Sequence, residues 1–135
     1  MSAVHEHEVQ MRWQDIDGLG HVNHNVAVTY LEEGRDALLD AIGIGRADYV
    51  VGRCSIEYRA EIDPTFGVVR VQCEVVRVGT SSITTSERIL DGEGRVAVEA
   101  EFGIVLWDAE RRGSRPITDH ERAALEGGRT EEASR

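Results

Sequence analysis

Residues 13–25 read Trp-Gln-Asp-Ile-Asp-Gly-Leu-Gly-His-Val-Asn-His-Asn. Before them, residues 4–13 alternate: Val9, Met11 and Trp13 lie on one side, Glu8, Gln10 and Arg12 on the other. That is the period of a half-buried strand. After them the period changes, and Ala27, Tyr30, Leu31, Gly34, Leu38 and Ala41 fall on one helical stripe. The quoted stretch is therefore a turn, 14–22, that carries the chain from a strand into a long helix over 24–41. Asn23 suits the N-cap and Gly43 the C′ position. Eighteen helical residues span roughly 27 Å. Gly34 costs about 1 kcal/mol relative to alanine in a helix interior, and its place on the buried stripe predicts close approach to a sheet.

Beyond the helix the chain reads as strand after strand. Residues 52–62 carry Cys54, Ile56 and Tyr58 on one face, and 67–78 carry Val69, Val71, Cys73 and Val75. Residues 81–90 form a more polar strand, and 95–107 alternate from Val96 to Leu106. The separators have turn chemistry: Asp63-Pro64 with Gly67, Gly79-Thr80, and Asp91-Gly-Glu-Gly94. Short connections predict a meander for the last three strands. Thr118-Asp-His-Glu121 is a capping box that opens a short helix over 119–126. The tail, 127–135, is polar and glycine-led and is expected to be disordered. The order strand, helix, four strands, helix is α+β, a curved antiparallel sheet around one central helix in a single domain over 1–126. One helix covers one face only, so the sheet edges call for a partner, and a homodimer is expected.

Composition narrows the function. The chain has 135 residues, 41% hydrophobic and 30% charged, with a net charge of −10. Nucleic acid and anionic membrane surfaces both need a basic face and are not expected as partners. No apolar run reaches the roughly 18–20 residues that span a bilayer. The first residues lack a basic and an apolar segment, so the expected location is cytoplasmic. All fifteen basic side chains other than histidine are arginine, which excludes a catalytic lysine and a P-loop. Cys54 and Cys73 are expected as buried reduced thiols. His5 and His7 form an i, i+2 pair on a solvated strand edge, with no cysteine beside them to suggest a metal set.

The turn itself carries the chemistry. Asp15 and Asp17 sit two apart, and His21, Asn23, His24 and Asn25 crowd the helix entry. A helix N-terminus presents unpaired backbone N–H groups that stabilise developing negative charge. An aspartate, ordinarily ionised at neutral pH, beside such an end suits attack on a carbonyl carbon. Either Asp15 or Asp17 can be that carboxylate, and the alternative for each is a turn held by Asx-type hydrogen bonds. His21 is a candidate acid or an orienting group. Ser81 and Ser82 lie outside any nucleophile elbow. Glu32 and Arg35, three apart on the helix, are expected to pair with each other.

In sum, Asp15-Ile-Asp17-Gly-Leu-Gly-His-Val-Asn-His24, followed by Tyr30-Leu-Glu-Glu-Gly-Arg35, resembles hot-dog fold thioesterases of the 4-hydroxybenzoyl-CoA thioesterase type. Ile56-Glu-Tyr58, Gly79-Thr-Ser-Ser82 and Leu106-Trp-Asp108 add to the resemblance, which covers 8–125. It implies a five-stranded antiparallel sheet wrapped around a long helix, and hydrolysis of an acyl thioester. It implies Asp17 as general base or nucleophile, with the backbone N–H at His24 polarising the thioester carbonyl. It implies a site at a dimer interface, with dimers stacking into tetramers. Asn23, Tyr30, Tyr58, Arg77, Gly79, Ser81 and Ser82 are the candidate substrate contacts. No cofactor is expected beyond coenzyme A as part of the substrate. Family members often carry basic residues on the hairpin that here reads Arg77-Val-Gly-Thr-Ser-Ser82, with one arginine. Arg111, Arg112 and Arg115 are alternative phosphate holders, and an acyl-carrier protein is the alternative acyl donor.

Overall fold

The computed structural model describes residues 4–133, with side chains to residue 126. Strand β1 (His5–Gln10) leads through a short 3-10 turn (Trp13–Asp15) to helix α1 (His24–Asp40). Strands β2 (Tyr49–Tyr58), β3 (Val68–Val78), β4 (Ser82–Leu90) and β5 (Val96–Asp108) follow. A two-residue strand β6 (Gly113–Ser114) and helix α2 (Asp119–Ala133) complete the chain. The sheet order is β1-β3-β4-β5-β2, every pairing antiparallel, and β6 folds back on the end of β5. The meander β3-β4-β5 is the one read from the short connections, and the fold is the α+β sheet around one helix that the periodicity predicts.

The helix forms where capping and stripe agree. Asn23 Oδ1 accepts the Asn25 N–H at 2.8 Å. At the other end the Ile44 N–H reaches Leu39 O at 2.9 Å and the Gly43 N–H reaches Asp40 O at 3.1 Å. With Gly43 at φ +89°, this is a Schellman closure. Ala27, Tyr30, Leu31, Gly34 and Leu39 are buried against the sheet. Gly34 does allow close approach: a Cβ there would collide with Val71, lying 2.8 Å from its Cβ and closer still to Cγ1.

Arg35 departs from expectation. It bonds not Glu32 but Glu87 on β4, at 3.1 and 3.2 Å, with both side chains essentially sealed from solvent. Arg35 faces inward, so a partner on the sheet replaces the neighbour on the helix. Thr85 donates to Glu87 at 2.6 Å, and the guanidinium lies 4.1 Å above the Phe102 ring. Burial raises the Glu87 carboxyl pKa despite Arg35 and Thr85, and burial with Glu87 alongside raises the Cys73 thiol well above its ordinary range.

Boundaries shift at several places. β1 ends at Gln10 and not at 13, so Trp13 lies in the 3-10 turn and is exposed, away from the buried face of Val9 and Met11. β2 starts at Tyr49 and ends at Tyr58, not at 52 and 62, and is an edge strand whose one sheet neighbour is β5. Cys54 is exposed, as is most of β2 on both faces, whereas Cys73 on β3 is buried; β2 touches α1 at its ends, through Tyr49 to Arg35 and Asp36 and through Tyr58 to His24. β6 has no counterpart in the alternation pattern. The capping box forms as read, with Thr118 N–H to Glu121 Oε1 at 2.9 Å and Glu121 N–H to Thr118 Oγ1 at 3.1 Å, but the α2 backbone continues past 126 to Ala133. Of the tail expected to be disordered, residues 134–135 lie outside the described residues. Among the described residues no helix is long and apolar enough to cross a membrane.

Candidate active site

The two aspartates of the turn have separate environments. Asp15 is 2% exposed. Its Oδ2 accepts the Tyr30 hydroxyl at 2.6 Å and the Arg12 backbone N–H at 3.0 Å, while the Arg12 guanidinium reaches Oδ1 at 3.2 Å. Burial raises the Asp15 pKa, but the hydrogen bonds from Tyr30 and Arg12 outweigh it, and the net shift is downward. The Asp15 carbonyl also accepts the Asn23 N–H at 2.9 Å, tying the turn to the helix entry. Asp15 is thus scaffold, one of the two roles the turn left open to it. Tyr30, a candidate substrate contact, is fully buried with its hydroxyl committed to Asp15; the structure places it in the support of the turn, away from the cleft.

Asp17 closes the tip of the turn. Its N–H donates to His21 O at 2.8 Å, and Gly20, at φ +82°, donates to Asp17 O at 3.1 Å. An L side chain is disfavoured at that φ. Asp17 Oδ1 accepts Leu19 N–H at 2.9 Å and His21 N–H at 3.3 Å. Oδ2 takes no hydrogen bond among the described residues. The carboxylate is held by one oxygen and open at the other.

Asp17 borders a cleft of about 360 Å³. Val22, Ala27, Ile62 and Val98 give it an apolar floor, and His21, His24, Tyr58, Arg59 and Glu61 form its polar rim. Val22 N–H donates to Ile62 O at 3.1 Å, fixing the turn to the segment after β2. His24 is the first residue of α1, so its N–H has no partner within the helix, and it has none among the described residues. Tyr58 donates its hydroxyl to His24 O at 3.0 Å and meets the His24 ring edge-to-face at 5.8 Å. His21 Nε2 lies 3.0 Å from Glu61 Oε2. The structure thus brings together Asp17, His21, His24 and Tyr58, with Asn23 capping the helix beside them.

It does not bring in the β3–β4 hairpin. None of Arg77, Gly79, Ser81 and Ser82 borders the cleft. Asp17 lies near the start of β3, where Met11 N–H bonds Gly67 O at 2.8 Å, and the hairpin follows its far end. The eleven residues of β3, roughly 35 Å measured along the strand, lie between them. The hairpin backbone is also occupied: Gly79 O accepts Arg122 at 2.8 Å, Thr80 O accepts Ile117 N–H at 2.9 Å, and Ser81 O accepts Leu106 N–H at 2.8 Å. Of the arginines considered for phosphate, Arg111 pairs with Asp108 at 3.0 Å and Arg115 with Glu121 at 2.8 Å. Arg77 and Arg112 have no ion pair among the described residues.

Sequence reading missed Glu61, Arg59, Ile62 and Val98. Residues 59–62 look like a continuation of β2, but they leave the sheet and wall the cleft. The Asp63-Pro64 turn just beyond was the local sign that the strand ends early.

An antiparallel sheet curled on one long helix, with an aspartate turn feeding the helix N-terminus, defines a hot-dog protein. The chain belongs to the thioesterase-like superfamily, which it matches over residues 11–125. No curated protein matches it. Among solved structures it is similar to a Thermus thermophilus thioesterase complexed with coenzyme A and Zn, at 24% identity and TM-score 0.82, covering 90% of this chain and 91% of that one. It is similar to a Pseudomonas aeruginosa protein provisionally named a thioesterase, at 30% identity and TM-score 0.79, covering 90% and 97%. A 1,4-dihydroxy-2-naphthoyl-CoA thioesterase from Synechocystis shares the fold at 17% identity and TM-score 0.77, covering 91% and 96%.

Proposed function

We propose that the protein hydrolyses an acyl thioester, with Asp17 as its reactive carboxylate and the His24 N–H as donor to the carbonyl oxygen. The observation that carries this reading is that Asp17, with one carboxylate oxygen free of hydrogen bonds among the described residues, and His24, the first residue of α1, border one cleft with apolar lining. The acyl group lies on Val22, Ala27, Ile62 and Val98. Asp17 either takes a proton from the attacking water or attacks the carbonyl carbon itself to give an anhydride. The oxygen that becomes anionic is met by the His24 N–H and the positive end of α1. The C–S bond then breaks with its electron pair on sulfur, which takes up a proton. His21, on the rim, is the side chain proposed to carry that proton.

The favoured acyl donor is coenzyme A, in line with the coenzyme A complex of the Thermus protein. A donor long enough to engage both Arg77–Ser82 and Asp17 needs those groups from different subunits, since they lie at opposite ends of β3. A homodimer is the natural source. The open edge of β2, with Val51 and Tyr58 each nearly half exposed, offers the surface, and pairs of dimers would give a tetramer.

Thiol release from short, long and aromatic acyl-CoAs and from an acyl-carrier-protein thioester tests the reading. Asp17→Asn should lower kcat by at least about 10²-fold, whereas a side-chain change at His24 should cost less because its donor is backbone. Wild-type turnover that survives Asp17→Asn refutes the mechanism. A single turnover in ¹⁸O water can establish the anhydride route, since label in the Asp17 carboxylate arises only when water opens an anhydride at its aspartyl carbonyl. Light scattering of an active monomer would refute the shared site.

A further inference from the structure

After β2 the chain crosses the mouth of the cleft and sets a second carboxylate, Glu61, beside a histidine of the Asp17 turn. Glu61 Oε2 lies 3.0 Å from His21 Nε2, and both residues border the cleft. One residue further along each segment, the Val22 N–H bonds Ile62 O at 3.1 Å, so backbone holds the two side chains opposite each other. We propose that Glu61 is a positioning residue that acts through His21, fixing which ring nitrogen is open to the reaction; this rests on the hydrolase reading above.

The chemistry follows from donor and acceptor rules. A carboxylate oxygen accepts and does not donate. A carboxylate oxygen 3.0 Å from Nε2 favours the ring hydrogen on that nitrogen, and in the neutral ring with hydrogen there Nδ1 carries the lone pair. Nδ1 has no hydrogen-bond partner among the described residues. The other charged groups nearby are engaged differently. Arg59 is held by Glu57 at 3.2 Å and by Glu99 at 2.8 Å. Asp63 accepts Thr65 N–H at 2.8 Å, although it feels His21 electrostatically. Asp17 bonds the His21 backbone and not its ring. The His24 ring is packed against Tyr58. Among the described residues Glu61 is the carboxylate that sets the tautomer.

The step balances without any further reactant. On the general-base route the water oxygen bonds the thioester carbon, and the proton it loses passes through Asp17 to His21 Nδ1. When the C–S bond breaks, the sulfur keeps the electron pair, and a ring protonated at Nδ1 returns that proton to it. The opposite tautomer, with hydrogen on Nδ1, cannot accept there. The pair is also accessible, with Glu61 71% and His21 33% exposed. Such exposed pairs add little to stability, so variants at Glu61 should fold.

The test uses Glu61→Ala, Glu61→Gln, His21→Ala and the double variant Glu61→Ala/His21→Ala, with Asp17→Asn alongside. Glu61→Ala should lower kcat roughly tenfold with KM within about twofold. Glu61→Gln should recover most of that, because the amide oxygen also accepts from Nε2–H. The double variant should be no slower than His21→Ala. Long-range ¹H–¹⁵N spectra, with the His21 signal assigned from its loss in His21→Ala, should show the Nε2–H tautomer in wild type and Glu61→Gln and a mixture in Glu61→Ala. That readout needs no turnover. Multiplicative losses in the double variant, an effect confined to KM, or an unchanged ring spectrum in Glu61→Ala would each overturn the proposal. If Asp17→Asn abolishes hydrolysis and Glu61→Ala does not slow it, Glu61 fails alone. If wild type releases no thiol from any thioester, the hydrolase reading fails and the proposed role of Glu61 with it.

Discussion

Glu87→Gln should be among the most destabilising single changes in the molecule. Arg35 and Glu87 are 1% and 0% exposed, 3.1 Å apart. Removing one partner of a sealed ion pair leaves the other charge buried and uncompensated, which costs about 3–5 kcal/mol. A chain of 135 residues has a total stability of about 7–20 kcal/mol at 0.05–0.15 kcal/mol per residue. The variant should therefore lose between about a seventh and about seven-tenths of its stability while still folding. With a urea slope of about 2 kcal/mol per molar, the midpoint should fall by about 1.5–2.5 M at an unchanged slope. The double replacement Arg35→Met/Glu87→Leu removes both charges and both desolvation penalties, and should return to within about 1 kcal/mol of wild type or exceed it. Equilibrium urea unfolding followed by tryptophan fluorescence measures all three proteins. A Glu87→Gln midpoint within about 0.5 M of wild type would refute the reasoning, as would a double variant no better than the single one. Turnover per folded molecule should be preserved in both, since neither residue borders the cleft.

Three further outcomes are expected. Gly34→Ala should destabilise by about 1–3 kcal/mol through collision with Val71, more than the roughly 1 kcal/mol of helix propensity it gains, and Val71→Ala added to it should restore part of the loss in urea unfolding. Tyr30→Phe removes the donor to buried Asp15 and should cost about 1.5–3 kcal/mol at pH 7; because the Asp15 pKa is lowered in the folded protein, this penalty should shrink in unfolding measured below the ordinary aspartate range. Glu121 has its pKa lowered from 4.5 to about 2, first by the Arg115 hydrogen bonds. Its contribution is therefore complete above about pH 4.5 and is lost as pH falls towards 2. Glu121→Gln should flatten that limb of the thermal melting temperature against pH, and an unchanged limb would show that the carboxylate is not held.

The local parts of the molecule were readable from sequence because they rest on local physics. Asn23 caps α1 because its side chain reaches an N–H two residues on, and Thr118 and Glu121 cap α2 within one turn. Gly43 ends α1 because only a positive φ closes it there. The valines of β3 alternate because strand side chains do. Asp15 and Asp17 could be told apart only through the family resemblance, since the turn allows either role for each and does not name the Tyr30 hydroxyl that decides it.

What sequence could not supply is everything that depends on distant residues meeting. Arg35 and Glu87 are fifty-two positions apart, and no periodicity joins them. Cys54 and Cys73 have similar apolar neighbours, yet one is exposed and one buried, because Cys73 lies on the face of β3 packed into the core and Cys54 lies on a strand exposed on both faces. Residues 59–62 continue the strand pattern but wall the cleft, so Glu61 reached His21 unseen. The hairpin Arg77–Ser82 looked like part of the same site as Asp17, and the length of β3 sets them at opposite ends. The sequence by itself determined the elements, their caps and the carboxylate turn, because each is settled within a few residues. The tertiary structure alone decided which charges are sealed and which groups share the cleft, because burial and distance belong to the packed sheet and helix together.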